Sequence, residues 1–419
     1  MKRIISFVLG ILMLFSTSGC GLMGKQKKED KTTIKFATFY SAKSEEKIIE
    51  VYKKIIEEYQ KKNDKVKIEL ITDYGDENKI KSDISKGEVD LIGLKRQQII
   101  EYAKAGMLTD LTQFFTEKEL DKKVYDVSLA YGLYNDKIYG YNDMPLTIEF
   151  FYNVDMFKKY KLQEPKTLKE LFDVCRKLKS LGFTPMEVGA LDNWTLAILF
   201  SQINAQTTGS IEVASKYNSD KNGYLTLKGI DKSFEIFEKL NTNALSKGSV
   251  DINYRQSVDD FIKGKVAILP AGAWAAKLID EIKPTNFNYS VFTEPLKFVD
   301  EPVSMFAGAG GQTIAISQKS KNAKEAQAFI EFLLSEEAQK KFVEANYISP
   351  LKSANSNDNE LQDKLLNHLN ATDKNSVVFM DNIPTNMLDV LSKVLYDMLE
   401  GRVKYKEAWD KILKLIYQQ

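Results

Sequence analysis

Apolar residues recur along the first part of the chain with two different periods. Runs with a period of two predict strands, and longer runs with apolar residues every three or four positions predict helices. Strands and helices alternate in this order: Thr33–Phe39, Ser44–Lys62, Val66–Ile71, Asn78–Lys86, Val89–Leu94 and Gln97–Ala105. This βαβαβα order predicts a parallel sheet with helices on both faces.

Helical spacing dominates the rest of the chain, with short strands between the helices. The predicted helices are Leu168–Leu181, Trp194–Asn204, Asp231–Leu240, Ser257–Lys263, Ala323–Leu334, Glu336–Glu344, Leu388–Leu399 and Tyr405–Tyr417. The predicted strands are Lys265–Leu269, Asn288–Phe292 and Thr313–Ser317. The polar segment Lys352–Asn375 predicts a loop with a short helix.

The N-terminus has the pattern of a targeting segment. Lys2 and Arg3 precede the apolar run Ile4–Phe15, which is shorter than the ~20 residues that span a bilayer. This pattern predicts a signal peptide over residues 1–19. The following Ser16-Thr17-Ser18-Gly19-Cys20 resembles the lipobox of bacterial lipoproteins, although that family usually has Leu at the position of Thr17.

Two interpretations of this segment stay open. The lipobox resemblance implies cleavage before Cys20 and a diacylglycerol with palmitate-type chains on its sulfur. The protein would then be anchored to the outside of the cell membrane through a lipidated tether over residues 20–31. The alternative is an ordinary secretory signal that contains a cysteine by chance.

The composition argues against several classes of protein and of site. The 419 residues carry 59 basic and 58 acidic side chains, and a net charge of +1 argues against a nucleic-acid-binding protein. One histidine and two cysteines are too few for a zinc site or a disulfide scaffold. We therefore expect no metal and no cofactor. Cys175 lies at helical spacing and is interpreted as a small core residue.

Four stretches resemble one family when they are taken in order. They are Lys86–Ile92 with Tyr102–Leu111, Ile138–Phe157, Phe261–Trp274, and Leu399–Arg402 with Ala408-Trp409. Together, behind a lipobox, they resemble the bacterial extracellular solute-binding proteins of ABC importers. They are most similar to the carbohydrate-binding, maltose-binding-protein-like group, and the resemblance covers nearly the whole mature chain.

The resemblance implies an α/β, two-lobed periplasmic-binding-protein-like fold with hinge crossings and a central ligand cleft. We expect residues 32–147 and 308–350 in the N-terminal lobe, and residues 148–307 and 351–419 in the C-terminal lobe. The expected crossings are Pro145–Phe151, Pro302–Gly310 and Ile348–Lys352. Hinge closure around the ligand is the expected motion, and we expect a monomer.

Candidate ligand contacts follow from the chemistry of sugars, which have apolar faces and polar edges. Trp194 and Trp274 each stand where a loop opens a helix, and the matching family positions commonly stack on a sugar ring. Trp409 lies at helical spacing with Ile412 and Ile416 and is interpreted as core. The polar and small candidates are Asn193, Tyr40, Ser41, Tyr74, Asp143, Glu149, Arg255 and Gly310.

We thus predict a binding protein without enzymatic activity. It captures a carbohydrate, which we expect to be an oligosaccharide, and delivers it to ABC permease subunits. Two alternatives stay open. One is an extracellular glycan-processing enzyme such as a glycoside hydrolase, which needs two carboxyl groups about 5–9.5 Å apart. The other is a lipoprotein that presents its ligand to a sensor kinase.

Overall fold

The fold is taken from a computed structural model that describes residues 31–300, 307–356 and 359–417. The predicted signal peptide, Cys20 and the tether up to residue 30 lie outside the described residues, as does most of the expected crossing Pro302–Gly310. Among the described residues, no helix combines the length and the apolar character needed to cross a bilayer.

The described strands are short, and most have six residues or fewer. They are β1 (Thr32–Ala37), β2 (Val66–Ile71), β3 (Leu91–Leu94), β4 (Leu133–Tyr134), β5 (Lys137–Ile138), β6 (Gly140–Asn142), β7 (Pro145–Asn153), β8 (Thr184–Met186), β9 (Val266–Gly272), β10 (Tyr289–Val291), β11 (Ala307–Ala309) and β12 (Thr313–Ile316).

The helices contain far more residues than the strands. They are α1 (Glu46–Lys62), α2 (Glu77–Lys86), α3 (Arg96–Lys104), α4 (Thr112–Glu117), α5 (Leu120–Lys123), α6 (Asp126–Ala130), α7 (Val154–Lys159), α8 (Leu168–Ser180), α9 (Trp194–Thr207), α10 (Ser210–Ser215), α11 (Lys221–Leu225), α12 (Ile230–Asn243), α13 (Tyr254–Ile262), α14 (Ala275–Ile282), α15 (Ala323–Leu333), α16 (Glu336–Glu344), α17 (Glu360–Asn370), α18 (Thr385–Leu399) and α19 (Tyr405–Tyr417). Single 3-10 turns cover Lys247–Asp251, Lys352–Ala354 and Phe379–Asn382.

The first sheet has the strand order β2-β1-β3-β12-β6. Strand β1 pairs in parallel with both β2 and β3, which confirms the parallel sheet that the βαβαβα pattern predicts. Strand β12 joins the same sheet from far along the chain and runs antiparallel to β3 and β6. The sheet is therefore mixed at the side where the chain returns to it.

Helices cover both faces of the first sheet because successive side chains of a strand point to opposite faces. Phe36 and Ile314 pack with α1, α15 and α16 on one face, whereas Ile92 and Ala315 pack with α2 and α3 on the other. We call this sheet with its helices the first lobe.

The second sheet has the strand order β10-β7-β9-β8, and β11 pairs with the beginning of β7. Its largest core contains side chains of β7, β8 and β9 with those of α8, α9, α12, α18 and α19. Cys175 and Trp409 are both buried in this core, as the helical spacing predicts. We call this sheet with its helices the second lobe.

Two of the passages of the described chain between the lobes lie at neighbouring places. Only Asp143 and Met144 separate β6 of the first sheet from β7 of the second. Residues 310–312 separate β11, which pairs with β7, from β12 of the first sheet. The expected third crossing still contacts the first lobe, because Tyr125 N donates to Pro350 O at 3.0 Å.

Several elements differ from the sequence-based expectation. Helices α4 to α6 and the β4–β5 pair fill residues 112–138, where the sequence pattern predicts neither. These pieces have two to six residues, which is too short for a periodic pattern to stand out. In contrast, α17 extends the short helix expected within Lys352–Asn375 to eleven residues.

A close backbone approach at Gly189 fixes the loop between β8 and α9. A Cβ atom at this position would lie 2.2 Å from Tyr254 N. Thr195 Oγ1 donates to Gly189 O at 3.0 Å, and Tyr254 N donates to Asp192 Oδ2 at 2.8 Å. The absence of a side chain at residue 189 therefore lets the beginnings of α9 and α13 meet.

We expect Gly189→Ala to lower the free energy of unfolding by about 1–3 kcal/mol, because the methyl group can be placed only by moving backbone. Gly75→Ala is the matched control, since a Cβ atom there meets nothing within 4 Å. Urea unfolding measures both variants. Equal stabilities for the two variants would contradict the close approach at Gly189.

Candidate functional site

Three aromatic rings come together at the edge of the second lobe. The centroids of the Trp194 and Trp274 rings are 6.0 Å apart, and that of Tyr254 is 5.0 Å from Trp194. The ring planes are inclined by 57° and 59° respectively. All three side chains are half-buried, so part of each ring stays accessible. The structure thus brings together the two tryptophans that the sequence singles out.

Strand β9 and its partner β7 position Trp274. The indole ring lies over Gly272, where a Cβ atom would be 1.9 Å from Cζ3 of the ring. Ala273 N donates to Thr147 O of β7 at 2.8 Å, which holds the turn between β9 and α14. A glycine at the end of β9 is therefore required for the ring to occupy this place.

The aromatic cluster borders a contact between the two lobes. Val378 and Met380 pack with Ile148 and both tryptophans. Gln97, on α3 of the first lobe, donates through Nε2 to Met380 O at 3.2 Å. The sequence pattern singles out none of three residues at this contact, Tyr254, Met380 and Gln97. For Gln97 a signal was available, because it follows the carboxyl end of β3, where open α/β sheets present ligands.

Next to this contact, a buried arginine joins the lobes. Arg96 donates through Nε to Asn382 Oδ1 at 3.2 Å and through Nη1 to Leu133 O at 2.6 Å. Burial lowers the pKa of Arg96 to about 10, so the guanidinium stays charged at neutral pH. Tyr131 donates to Asp381 Oδ2 at 2.8 Å. Burial raises the pKa of Asp381 to about 6, while Tyr131 and Arg96 oppose this rise.

Asp143, a predicted ligand contact, is instead almost completely buried between the two passages of the chain. Its Oδ1 accepts hydrogen bonds from Tyr40 Oη at 3.1 Å and from Gln312 N at 2.9 Å, and Tyr52 Oη donates to its Oδ2. Burial raises the pKa of Asp143 to about 7, while the three hydrogen bonds oppose the rise. Tyr40, also a predicted contact, is a partner of this carboxyl group.

Glu149, expected beside the cleft, is also buried, with 2% of its surface exposed. Both of its carboxylate oxygens lie 3.0 Å from Nδ1 of His368. Asp143 and Glu149 therefore differ from the expectation of carboxylates that face a ligand, because partners distant in the sequence surround each of them.

The remaining predicted contacts lie in several places. Asn193 is exposed at the start of α9, beside Trp194. Arg255 is exposed on α13, and its Nε lies 3.2 Å from Asp259 Oδ1. Tyr74 is buried and donates to Asp83 in the first lobe. Ser41, in the turn after β1, accepts hydrogen bonds from the backbone, and a Cβ atom at Gly310 would lie 2.3 Å from Leu146 Cδ1.

The arrangement suits recognition of a neutral ligand with apolar faces. Half-exposed aromatic rings supply flat apolar contacts, and amides such as Gln97 and Asn193 supply hydrogen bonds. Asp192, the carboxylate beside the cluster, already accepts from Tyr254 N. Within residues 31–300, 307–356 and 359–417, no three His, Cys, Asp or Glu side chains converge as metal ligands would.

Comparison with known proteins gives one consistent family. A family model described as bacterial extracellular solute-binding protein matches residues 42–340. A multiple sugar-binding protein of Streptococcus mutans is 26% identical over 361 residues, which cover 81% of this chain and 80% of that protein. A maltooligosaccharide ABC transporter solute-binding lipoprotein of Streptococcus pneumoniae is 26% identical, with 98% and 95% covered.

A solved structure has the same two-lobed fold. The apo-form of RafE from Streptococcus pneumoniae superposes with a TM-score of 0.72 at 20% identity, covering 93% of this chain and 98% of that one. This likeness confirms the predicted fold class.

We expect the stability of the protein to fall as the pH rises from about 4 to about 7 because of Asp143. An unfolded chain releases this proton at the ordinary pKa of 3.8, whereas the folded chain holds it up to about 7. Folded protein therefore binds the proton more tightly, and its loss lowers the free energy of unfolding by about 4 kcal/mol in total.

Asp143→Asn keeps a neutral group at this position and removes that part of the pH dependence. Urea unfolding at several pH values between 4 and 8 compares the variant with the wild type, and the exposed Asp64→Asn serves as the control. If Asp143→Asn and the wild type lose stability equally over this range, the buried carboxyl group does not titrate as described.

Proposed function

The chain belongs to the bacterial extracellular solute-binding proteins, and on that premise we propose that it captures a carbohydrate for an ABC importer. We expect this carbohydrate to be an oligosaccharide. The observation that supports this proposal is the pair of half-exposed tryptophans, Trp194 and Trp274, beside a contact between the lobes. Two relatives whose names specify sugars, one of them an ABC transporter protein, add support.

The proposed contacts combine rings and amides. Trp274 and Trp194 stack on the apolar faces of sugar rings, and Tyr254 extends the same surface. Asn193, next to Trp194, and Gln97, across the lobe contact, bind the hydroxyl groups. Ser41, Arg255 and the backbone near Gly310 stay predicted contacts from the sequence. Tyr40, Tyr74 and Asp143 also stay predictions, although each has an internal partner that a ligand would have to replace. Glu149 stays a predicted contact from the sequence as well, and its buried contact with His368 offers it a second role, in which it keeps this partner and positions β7.

We propose that capture uses closure of the two lobes about the neighbouring passages at Asp143-Met144 and residues 310–312. In this proposal the expected lobes, residues 32–147 with 308–350 and residues 148–307 with 351–419, move against each other, except that residues 145–147 and 308–309 belong to the paired strands β7 and β11 of the second sheet. The carbohydrate lies between Gln97 and the aromatic cluster, so closure completes its hydrogen bonds. The closed form, as a monomer, then engages ABC permease subunits.

The same proposal places the protein outside the cytoplasm, held to the cell membrane by lipid on Cys20. The sequence from Lys2 to Cys20 and its lipobox resemblance support this anchoring, as does the lipoprotein among the relatives. The protein catalyses no reaction in this role, in line with relatives that are named as binding proteins.

Trp274→Ala tests the site directly. We expect the affinity for the bound saccharide to fall by about 1–3 kcal/mol, the scale of a lost aromatic contact. A thermal-shift screen of neutral saccharides, with maltotetraose, raffinose and arabinotriose among them, identifies the ligand. Calorimetry then measures the affinity of the variant.

Leu181→Ala is the matched control, because Leu181 is an exposed apolar residue, 41% accessible, at the end of α8. Its affinity should equal that of the wild type. An unchanged affinity in Trp274→Ala would remove Trp274 from the site. Saccharide products released during incubation would favour the enzyme alternative instead.

Cys20→Ser tests the anchor. In cells that express the full chain, we expect the wild type to take up labelled palmitate and to sediment with membranes, because two acyl chains hold a protein stably at a bilayer. Cys20→Ser should take up no label and leave the membrane fraction. Cys175→Ala, which changes the buried second cysteine, should behave as the wild type. Label or membrane retention in Cys20→Ser would contradict lipidation at Cys20.

A further inference from the structure

The only histidine of the sequence is buried, and it contacts protein oxygen atoms through both ring nitrogens. His368 lies on α17 with 4% of its surface exposed. Its Nδ1 is 3.0 Å from each carboxylate oxygen of Glu149, and its Nε2 is 3.1 Å from Thr293 O. Both ring nitrogens therefore face oxygen atoms of the protein.

These contacts determine how many protons His368 and Glu149 carry together. Thr293 O only accepts, so Nε2 must carry a hydrogen. A neutral ring then has a bare Nδ1, which would face the Glu149 carboxylate lone pair against lone pair. Contact at 3.0 Å on both sides requires one more proton between Nδ1 and the carboxyl group. The imidazole ring and the carboxyl group then share this proton.

Glu149 connects this pair to the aromatic site. It lies within β7, opposite Ala271 of β9, while its neighbour Ile148 lies opposite Gly272. Ile148 packs with Trp194 and Trp274, and Glu149 points to the other face of the strand. The ion pair therefore holds the stretch of β7 that supports the tryptophans.

Helix α17 contacts the first lobe as well. Leu366 and Leu369, next to His368 in the sequence, pack with Tyr125, Val127, Ala130 and Tyr131 around α6. Val127 N donates to Thr372 Oγ1, just after the helix, at 3.4 Å. A movement of the first lobe against the second therefore acts on the helix that carries His368.

Other charged groups around the pair are already engaged. On α17 itself, Lys364 donates to Ser290 Oγ at 3.1 Å and lies 3.9 Å from Glu164 Oε1. Glu164 accepts from Thr293 N, and the exposed Glu294 pairs with Lys166. On α6, Asp126 lies 3.5 Å from Lys352 Nζ. Burial pulls the pKa of His368 down, but the charge of Glu149 and the hydrogen bonds raise it above its ordinary value.

We propose that Glu149 and His368 form a positioning pair that couples lobe closure, and thereby ligand capture, to the binding of one proton. This rests on the proposed function of the aromatic site. Closure presses α6 against α17 and tightens the pair, so the bound form holds the proton more strongly. Linkage is reciprocal, and affinity must then fall as the pH rises through the pKa of His368.

A single histidine makes the test sharp, because histidine-labelled protein gives one ring signal by NMR. The full chain is titrated from pH 5 to 9, alone and saturated with the saccharide that the panel identifies. We expect the pKa of His368 to be higher in the saturated protein. Calorimetry at pH 5.5 and 8.5 should show a three- to tenfold weaker affinity at the higher pH. An equal pKa in both states, with equal affinities, would overturn the proposal.

Two variants assign the effect. Glu149→Gln and His368→Gln should each bind the saccharide with an affinity that no longer changes between these pH values. If either still folds and keeps the pH dependence, the proton belongs to another group such as Asp143 or Asp381, and the proposal is wrong. Wild-type NMR and Glu149→Gln keep the test decisive should His368→Gln fail to fold.

The two proposals can fail separately. Saccharide binding without any pH dependence would leave the proposed function intact and overturn the coupling. If no saccharide binds at any pH, the proposed function fails, and X-ray scattering of the ligand-free chain decides the coupling. A radius of gyration that changes between pH 5.5 and 8.5 in the wild type, but not in Glu149→Gln, supports the coupling. A constant radius overturns it.

Discussion

Two segments that pass between the lobes lie side by side in the interior of the protein, and the carboxyl group of Asp143 joins them. It lies in the first passage and accepts a hydrogen bond from the backbone of Gln312 in the second. Tyr40, three residues after β1, and Tyr52 on α1 donate the other hydrogen bonds to this carboxyl group. An unmade hydrogen bond in such a place costs about 1–3 kcal/mol. The passages are thereby fixed at one point, while the lobes on either side keep separate cores.

The register of β7, which begins directly after Asp143 and Met144, determines which of its residues face the tryptophans and which face His368. Residues alternate between the faces of the strand, so Ile148 supports the tryptophans and Glu149 meets His368 on the other side. Strand β9, paired along β7, ends at Gly272, two residues before Trp274. The residue that supports the tryptophans and the residue that contacts His368 are thus consecutive in β7, and a shift of the strand by one residue would exchange their roles.

The sequence was informative where structure is local. The βαβαβα pattern predicts β1 to α3, and the tryptophans at helix starts prove to be neighbours in space. It could not show that Asp143 and Glu149 are buried, because their partners Tyr52 and His368 lie 91 and 219 residues away. A carboxylate that is satisfied by distant donors and one that faces solvent look identical along the chain. The contact of Gln97 with Met380 could not be predicted for the same reason, because the two residues are 283 positions apart.

The contact between Gln97 and Met380 also bears on selectivity. This hydrogen bond and those of Arg96 join the lobes beside the aromatic rings. A guest that enters between Gln97 and the rings must replace that hydrogen bond, which is worth about 0.5–1.5 kcal/mol net. A hydroxyl group can accept from the amide in place of Met380 O, whereas an apolar guest cannot. In the proposed site, the rings would therefore favour any flat apolar surface, and the amide of Gln97 from the opposite lobe would favour guests that also carry hydroxyl groups.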